Sequence, residues 1–78
     1  MSDVLFASAP PRTLAEQVYE ALKADLVAGA WTPGSALLTR DLLERYGCGV
    51  SPLREALARL VGEGLLEPRG EFVHAHGG

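Results

Sequence analysis

Hydrophobic residues recur at the spacing of an amphipathic helix just after the proline pair near the start of the chain. They occupy every fourth position, with smaller apolar residues beside them: Leu14, Val18, Leu22 and Leu26, then Ala15, Ala21 and Val27. This pattern predicts a helix with one buried face. Thr13 and Glu16 have the spacing of a capping box and Gly29 suits the C-terminal cap, so we expect the helix over residues 14–28.

A turn, a strand and a shorter helix are predicted next. Pro33 and Gly34 suit the two central positions of a type II turn. A very short strand fits residues 35–38. Thr39 is then expected to cap a second helix over residues 40–46, which Gly47 closes. The apolar residues of this helix are expected in the core: Leu42, Leu43 and Tyr46.

The third predicted helix has two clearly different faces. Ser51 is a suitable N-cap and Pro52 suits the first helical position, so we expect the helix to run to Val61. Its core stripe is Leu53, Leu57, Leu60 and Val61. The opposite face carries small residues between two arginines: Ser51, Arg54, Glu55, Ala58, Arg59 and Gly62. A flat face with a few long donors is typical of a helix that lies against another surface, and the major groove of DNA is such a surface.

A β-hairpin is predicted after this helix. Residues 65–67 and 72–74 flank a turn segment, with Arg69 and Gly70 at the expected tip. The fold class is therefore mainly α with a small β-hairpin: a winged helix-turn-helix domain of three helices and a short wing. We expect this domain over residues 13–76, after a flexible arm at 1–12, with 77–78 as a cut end or linker.

Composition narrows the class of protein. The chain of 78 residues holds one domain at most, and 47% hydrophobic residues suffice for a compact core. No apolar run approaches the roughly 20 residues of a membrane span, and no signal-peptide pattern is present. Cys48 is the single cysteine, which is compatible with a reducing compartment. We therefore expect a cytoplasmic protein without membrane contact.

Candidate chemistry for an enzyme is lacking in the sequence. There is no Gly-rich phosphate loop, no paired acid constellation and no nucleophile with a plausible base, so no catalytic residue and no cofactor are expected. His74 and His76 share the spacing of one strand face, but no third ligand is evident, so we expect no metal site. A binding protein is the better interpretation.

Four segments of the sequence form a recognisable set: Leu14-Ala15-Glu16-Gln17-Val18-Tyr19-Glu20-Ala21-Leu22, Thr32-Pro33-Gly34, Pro52-Leu53-Arg54-Glu55-Ala56-Leu57 and Gly64-Leu65-Leu66-Glu67. Together they resemble the DNA-binding domain of the GntR family of bacterial transcription regulators. The opening segment is similar to the FadR-like subgroup in particular, and the resemblance covers residues 13–74. It implies the sequence-specific DNA-binding head of a metabolite-responsive repressor that binds a palindromic double-stranded DNA operator as a homodimer. An effector would bind a separate C-terminal domain, which this sequence does not include.

The resemblance also implies roles for particular residues. Arg40 matches an arginine that meets the DNA backbone, and Thr39 lies beside it at a helix N-terminus, where a phosphate is favoured. Arg54 matches the recognition-helix arginine, which can donate two hydrogen bonds to guanine O6 and N7. Ser51 stands where the family has a threonine. Arg69 and Gly70 match the wing tip, which reaches the minor groove in relatives.

Two alternatives remain open at this point. Arg59 is either a DNA contact or a helix surface charge, with Glu55 and Glu63 as acidic neighbours four residues away on each side. The second alternative concerns the whole domain, which could be a protein-interaction module with weak or lost DNA binding. A net charge of −3, Val50 in place of a family arginine, and a short wing with Glu71 near its tip favour that alternative.

Overall fold

The computed structural model describes residues 13–77, so the arm predicted at 1–12 and the final residue lie outside the described part. Three helices and three strands follow one another there: α1 (Leu14–Val27), β1 (Ala36–Leu37), α2 (Thr39–Tyr46), α3 (Val50–Gly62), β2 (Leu66–Arg69) and β3 (Phe72–Ala75). The order confirms the predicted winged helix-turn-helix, including the very short strand. Within residues 13–77, no helix has the length and apolar character to cross a membrane.

The three strands form one antiparallel sheet in the order β1-β3-β2. Leu37 lies opposite Val73, and Arg69 lies opposite Phe72. The hairpin tip is therefore Gly70 and Glu71, one residue later than predicted, and Arg69 belongs to β2. Gly70 has a φ of 62°, which suits the first central position of a two-residue hairpin loop.

Helix α1 begins and ends much as its sequence signals indicate. The Glu16 N–H donates to Thr13 Oγ1 at 3.1 Å, and the Thr13 N–H donates to Glu16 Oε1 at 3.5 Å, which completes the predicted capping box. The C-cap is Ala28, and Gly29 follows it in the left-handed region with a φ of 85°. The N–H groups of Gly29 and Ala30 donate to the carbonyls of Leu26 and Asp25, as in a Schellman motif.

Two predicted N-caps are wrong by one or two positions. Thr39 is the first residue of α2, and the extended residue before it, Leu38, makes no side-chain cap bond. Ser51 lies inside α3, because Gly49 is extended and serves as the N-cap. Pro52 is consequently the third helical residue, where its missing N–H still costs nothing since the first turn has no intrahelical acceptor. In both cases the last extended residue lies before the hydroxyl residue: Leu38 directly after β1, and Gly49 in the turn between α2 and α3.

A single core joins the helices and the sheet. Its buried members are Val18, Tyr19, Leu22, Leu37, Leu42, Leu53, Ala56, Leu60, Leu66 and Ala75. Three residues of the predicted α1 stripe are instead exposed, namely Leu14, Ala21 and Val27, while Tyr19 is buried. Positions four apart drift about 40° around a helix at each step, so the every-fourth row has left the contact face at Leu14, and Ala21 and Val27 lie beside that row. The real stripe mixes spacings of three and four.

Candidate nucleic-acid interface

Helix α3 presents the flat face that the sequence predicts. All six residues assigned to that face are exposed: Ser51, Arg54, Glu55, Ala58, Arg59 and Gly62. The other face is anchored in the core, because Leu53 and Leu60 are fully buried and Ala56 is 1% exposed. These buried residues pack mainly against α1, and also against β2. The exposed face is therefore held on a rigid base.

Arg54 lies in the second turn of α3 and is exposed. Within residues 13–77 its guanidinium makes no hydrogen bond, ion pair or ring contact. An arginine near the N-terminal end of such a helix is in the position from which base edges are reached. Arg54 is thus available to an external acceptor.

Arg59 is engaged within the domain. Its guanidinium carbon lies 4.0 Å from the centre of the Tyr19 ring, and its Nε lies 4.0 Å from Glu63 Oε2. Both contacts hold the side chain over the junction of α1 and α3, although it remains 56% exposed. The geometry favours the second of the two roles that the sequence left open for Arg59, a partner of Glu63.

A hydrogen-bond cluster ties the C-terminal end of α3 to α1. The Tyr19 hydroxyl donates to Glu63 and lies 2.6 and 2.7 Å from its two carboxylate oxygens. Lys23 Nζ donates to the same hydroxyl at 3.2 Å and lies 3.6 Å from Glu63 Oε1. The bond from Tyr19 is the main reason that the pKa of Glu63 is lowered, and the bond to Tyr19 is the main reason that the pKa of Lys23 is raised. The sequence analysis missed this cluster, because Tyr19 and Glu63 are 44 residues apart in the chain.

A second cluster ties the end of α2 to α1. The Tyr46 hydroxyl donates to Asp25 Oδ2 at 2.6 Å, and Arg45 Nε donates to the same oxygen at 3.2 Å. The Arg45 guanidinium also lies 5.1 Å from the centre of the Trp31 ring, a favourable cation–π distance. The Tyr46 bond is the main cause of a lowered pKa at Asp25, while burial is the main cause of a raised pKa at Tyr46. Both helices of the helix-turn-helix are thus fastened to α1.

The start of α2 carries the predicted backbone-contact pair. Thr39 and Arg40 are its first two residues, and both are exposed. The Arg40 side chain is 84% exposed, and Asp41 Oδ1 lies 3.9 Å from its Nε. An ion pair this long and this exposed contributes little, so a phosphate can compete for Arg40. The first N–H groups of α2 have no intrahelical acceptor and no side-chain cap, and they favour the same ligand.

The wing is less positive than its sequence suggests. Arg69 Nη2 lies 3.1 Å from Glu67 Oε2, and His76 Nδ1 lies 3.2 Å from Glu67 Oε1. Gly70 and Glu71 form the exposed tip. His74 Nδ1 is buried and has no hydrogen-bond partner among residues 13–77. The same residues hold no group of three side chains suited to a metal ion.

The five arginines between residues 40 and 69 differ in how they are held. Arg45, Arg59 and Arg69 lie within 4.0 Å of the half-buried carboxylates of Asp25, Glu63 and Glu67, whereas Arg40 lies 3.9 Å from the more exposed Asp41 and Arg54 has no carboxylate partner within residues 13–77. Arg40 and Arg54 project outward, from the start of α2 and from the early turns of α3. These two arginines lie in the two elements that a helix-turn-helix places at DNA.

The fold and this surface define a winged helix-turn-helix domain. Residues 14–71 match the family "Bacterial regulatory proteins, gntR family", and the chain belongs to it. It is 47% identical over 49 residues to the HTH-type transcriptional regulator McbR of Escherichia coli (strain K12), covering 63% of this chain and 22% of that protein. It is 36% identical over 75 residues to the uncharacterized HTH-type transcriptional regulator BphR of Paraburkholderia xenovorans (strain LB400), covering 88% of this chain and 31% of that protein.

A third relative is named as a repressor. The HTH-type transcriptional repressor GlaR of Escherichia coli (strain K12) is 46% identical over 48 residues, covering 62% of this chain and 22% of the repressor. The chain thus spans between 22% and 31% of the length of these three relatives. All three are named as transcriptional regulators or repressors, and the matched segment makes up less than one third of each of them.

Proposed function

We propose that this chain is the DNA-binding head of a metabolite-responsive bacterial transcription regulator of the FadR-like subgroup. The observation that carries the proposal is the exposed face of α3, where Arg54 has no partner within residues 13–77 on a helix anchored in the core. Family membership and the names of the relatives support the same function. Such a head works in the cytoplasm, where the chromosome is accessible.

Helix α3 enters the major groove with its flat face toward the bases. Arg54 donates two parallel hydrogen bonds to guanine O6 and N7, which no other base offers in that arrangement. Ser51, in the first turn of α3, donates its hydroxyl to a nearby phosphate or base edge. Ala58 has only a methyl side chain and Gly62 has none, so the helix can lie close to the base edges in the groove.

The remaining contacts position the head on the duplex. Arg40 and Thr39 hold a phosphate at the start of α2. Arg69 and Gly70 approach the neighbouring minor groove, where the narrow width attracts an arginine. Arg69 must exchange its exposed pair with Glu67 for the DNA, which costs little because both side chains are over one third exposed.

The number of available arginines makes a single head a weak binder. If Arg40 and Arg69 each neutralise one phosphate, the slope of log affinity against log salt is about −1.8 per head, and about twice that for a dimer. The net charge of −3 adds no general attraction. We therefore propose a homodimer on a palindromic operator, whose two half-sites double the contacts. In the longer protein, an effector-binding domain would follow the linker at 77–78 and hold the two heads.

The test begins with a duplex selected from a random library by the wild-type protein. Fluorescence anisotropy then compares wild type, Arg54→Ala and Arg54→Lys on this duplex and on one with the guanine changed. Arg54→Ala should weaken specific binding by about 1–3 kcal/mol. Arg54→Lys keeps the charge but loses the two-donor fork, so it should retain non-specific binding and lose discrimination. Equal affinity of wild type and Arg54→Ala for the selected duplex would refute the role of Arg54, and failure to select any duplex would refute the function.

A second candidate is a winged-helix module that binds protein. Val50 at the start of α3 is 44% exposed, and Glu67 already neutralises the wing arginine. Both features suit a protein surface as well as they suit a groove. Binding that is insensitive to salt, or absent at low salt, would favour this candidate over DNA.

A further inference from the structure

Two large hydrophobic side chains meet on the outer face of the sheet, beside the start of α2. Leu38 is 37% exposed and Phe72 is 47% exposed. Together with Thr39 and Arg40 they line one shallow groove of about 360 Å³. We call Leu38 and Phe72 the wing-base patch.

The sheet register explains why these side chains are outside the core. Leu37 lies opposite Val73 in an antiparallel pair, so Leu38 and Phe72 are the next residues to face each other. Leu37 is buried at 1% exposure, and successive residues of an extended chain point to opposite faces. Leu38 must therefore point away from the core, where its apolar surface and that of Phe72 are left in water.

Arginines lie on two sides of the wing-base patch. Arg40 lines the same groove, with its side chain 84% exposed. Arg69 is the cross-strand neighbour of Phe72 and lies on the same face of the sheet. The acids near them are Asp41, at 3.9 Å from Arg40, and Glu67, at 3.1 Å from Arg69. All four charged side chains are more than one third exposed, so neither pair is locked.

We propose that the wing-base patch packs against the deoxyribose edge of a DNA strand, between phosphates held by Arg40 and Arg69. This inference rests on the proposed function and names a contact that the charged residues alone do not supply. The sugar edge is apolar and phosphates flank it, so a pair of hydrophobic side chains between two cations complements it. The patch is also continuous with the start of α2, where the phosphate contact is proposed.

Such a contact gives affinity that does not depend on counterion release. A domain with few free arginines gains most from it, because each neutralised phosphate contributes a salt-sensitive term and an apolar contact does not. Full burial of a phenylalanine changes an equilibrium by roughly 10- to 150-fold. Since about half of Phe72 is exposed, covering it should be reflected in about a 3- to 12-fold change in affinity.

The experiment measures dissociation constants on the selected duplex at several salt concentrations for wild type, Phe72→Ala, Leu38→Ala, Arg40→Ala and Val27→Ala. Val27→Ala is the matched control, since Val27 is 74% exposed on α1 and away from the patch. Phe72→Ala should weaken binding about 3- to 12-fold and Leu38→Ala somewhat less, both with an unchanged salt slope. Arg40→Ala should lower the magnitude of the slope by about 0.9. Val27→Ala should change neither quantity.

Thermal melts accompany each variant, so that a loss of folding is recognised. If Phe72→Ala is unfolded at the assay temperature, Leu38→Ala tests the same contact through the adjacent side chain. Affinities of the two patch variants equal to that of Val27→Ala would overturn the inference, and so would a patch variant that weakens self-association but not DNA binding. In either case Arg54→Ala still reports on the proposed function. If wild type binds no duplex, both proposals fall.

Discussion

Removing the Tyr46 hydroxyl tests whether the cluster at the end of α2 stabilises the domain. The hydroxyl donates to Asp25 Oδ2 at 2.6 Å, and Tyr46→Phe leaves the ring in place. A hydrogen bond to a charged group contributes about 1.5–3 kcal/mol when shielded, but the Asp25 side chain is 34% exposed, so water replaces part of the loss. We expect Tyr46→Phe to cost about 1 kcal/mol, which lowers the melting temperature of a domain this small by about 4–8 °C.

The pH dependence of this loss gives a sharper test. Because the Tyr46 bond lowers the pKa of Asp25, the carboxylate contributes stability above its unfolded pKa, near 3.8, and that contribution disappears as pH falls through the folded pKa. The difference between wild type and Tyr46→Phe should therefore shrink as pH falls below about 4. The raised pKa of Tyr46 has the opposite sign, so its contribution is complete below about pH 10 and is lost at higher pH.

The assay is circular-dichroism melting of wild type, Tyr46→Phe, Asp25→Asn and the double variant from neutral to acidic pH. The double-mutant cycle isolates the charge-assisted part of the bond, since Tyr46→Phe removes the donor and Asp25→Asn removes the negative charge of the acceptor. A coupling energy near zero at neutral pH would refute the reasoning. An identical loss for Tyr46→Phe at neutral and acidic pH would refute the assignment to the Asp25 carboxylate.

Three further predictions concern single positions. Leu38→Asn should be about 1 kcal/mol more stable than Leu38→Ala in urea unfolding, because asparagine supplies the N-cap that α2 lacks, and equal stabilities would contradict this. Gly64→Ala should destabilise the domain by about 1–2 kcal/mol, because Gly64 has a φ of 80° that alanine adopts only with strain. Gly62→Ala should not destabilise the domain, because Gly62 is helical and has open space around it; a greater loss of stability for Gly62→Ala than for Gly64→Ala would contradict this. Tyr19→Phe should lower the melting temperature and raise the pKa of Glu63, which NMR titration of the Glu63 carboxyl carbon measures. An unchanged Glu63 titration would refute the assignment of that pKa shift to Tyr19.

Local signals predicted much of the fold. The capping box at Thr13 and Glu16, the type II turn at Pro33 and Gly34, and the glycine after α1 all appear where expected. Each depends on a backbone or capping preference that acts within three or four residues, so it can be predicted from the local sequence. The two displaced N-caps show the limit of such signals. A hydroxyl residue caps a helix only if its own backbone is extended, and before α2 and α3 the extended residues are Leu38 and Gly49.

For the interface, the sequence by itself determined which residues share the exposed face of α3, since a period of 3.6 places them there. The tertiary structure decided how Arg45 and Arg59 are held, because Asp25 and Tyr19 of α1 reach them only in the folded domain, whereas Glu63 and Glu67 lie within four residues of the arginines they pair with. Glu63 and Tyr19 hold Arg59, and Asp25 holds Arg45, while Arg54 has no such neighbour within residues 13–77. It also decided that Leu38 and Phe72 meet outside the core, because the strand register brings together two residues that are 34 positions apart in the chain. Helical periodicity thus determines which residues of α3 share a face, and packing between elements determines which side chains near that face are available for binding.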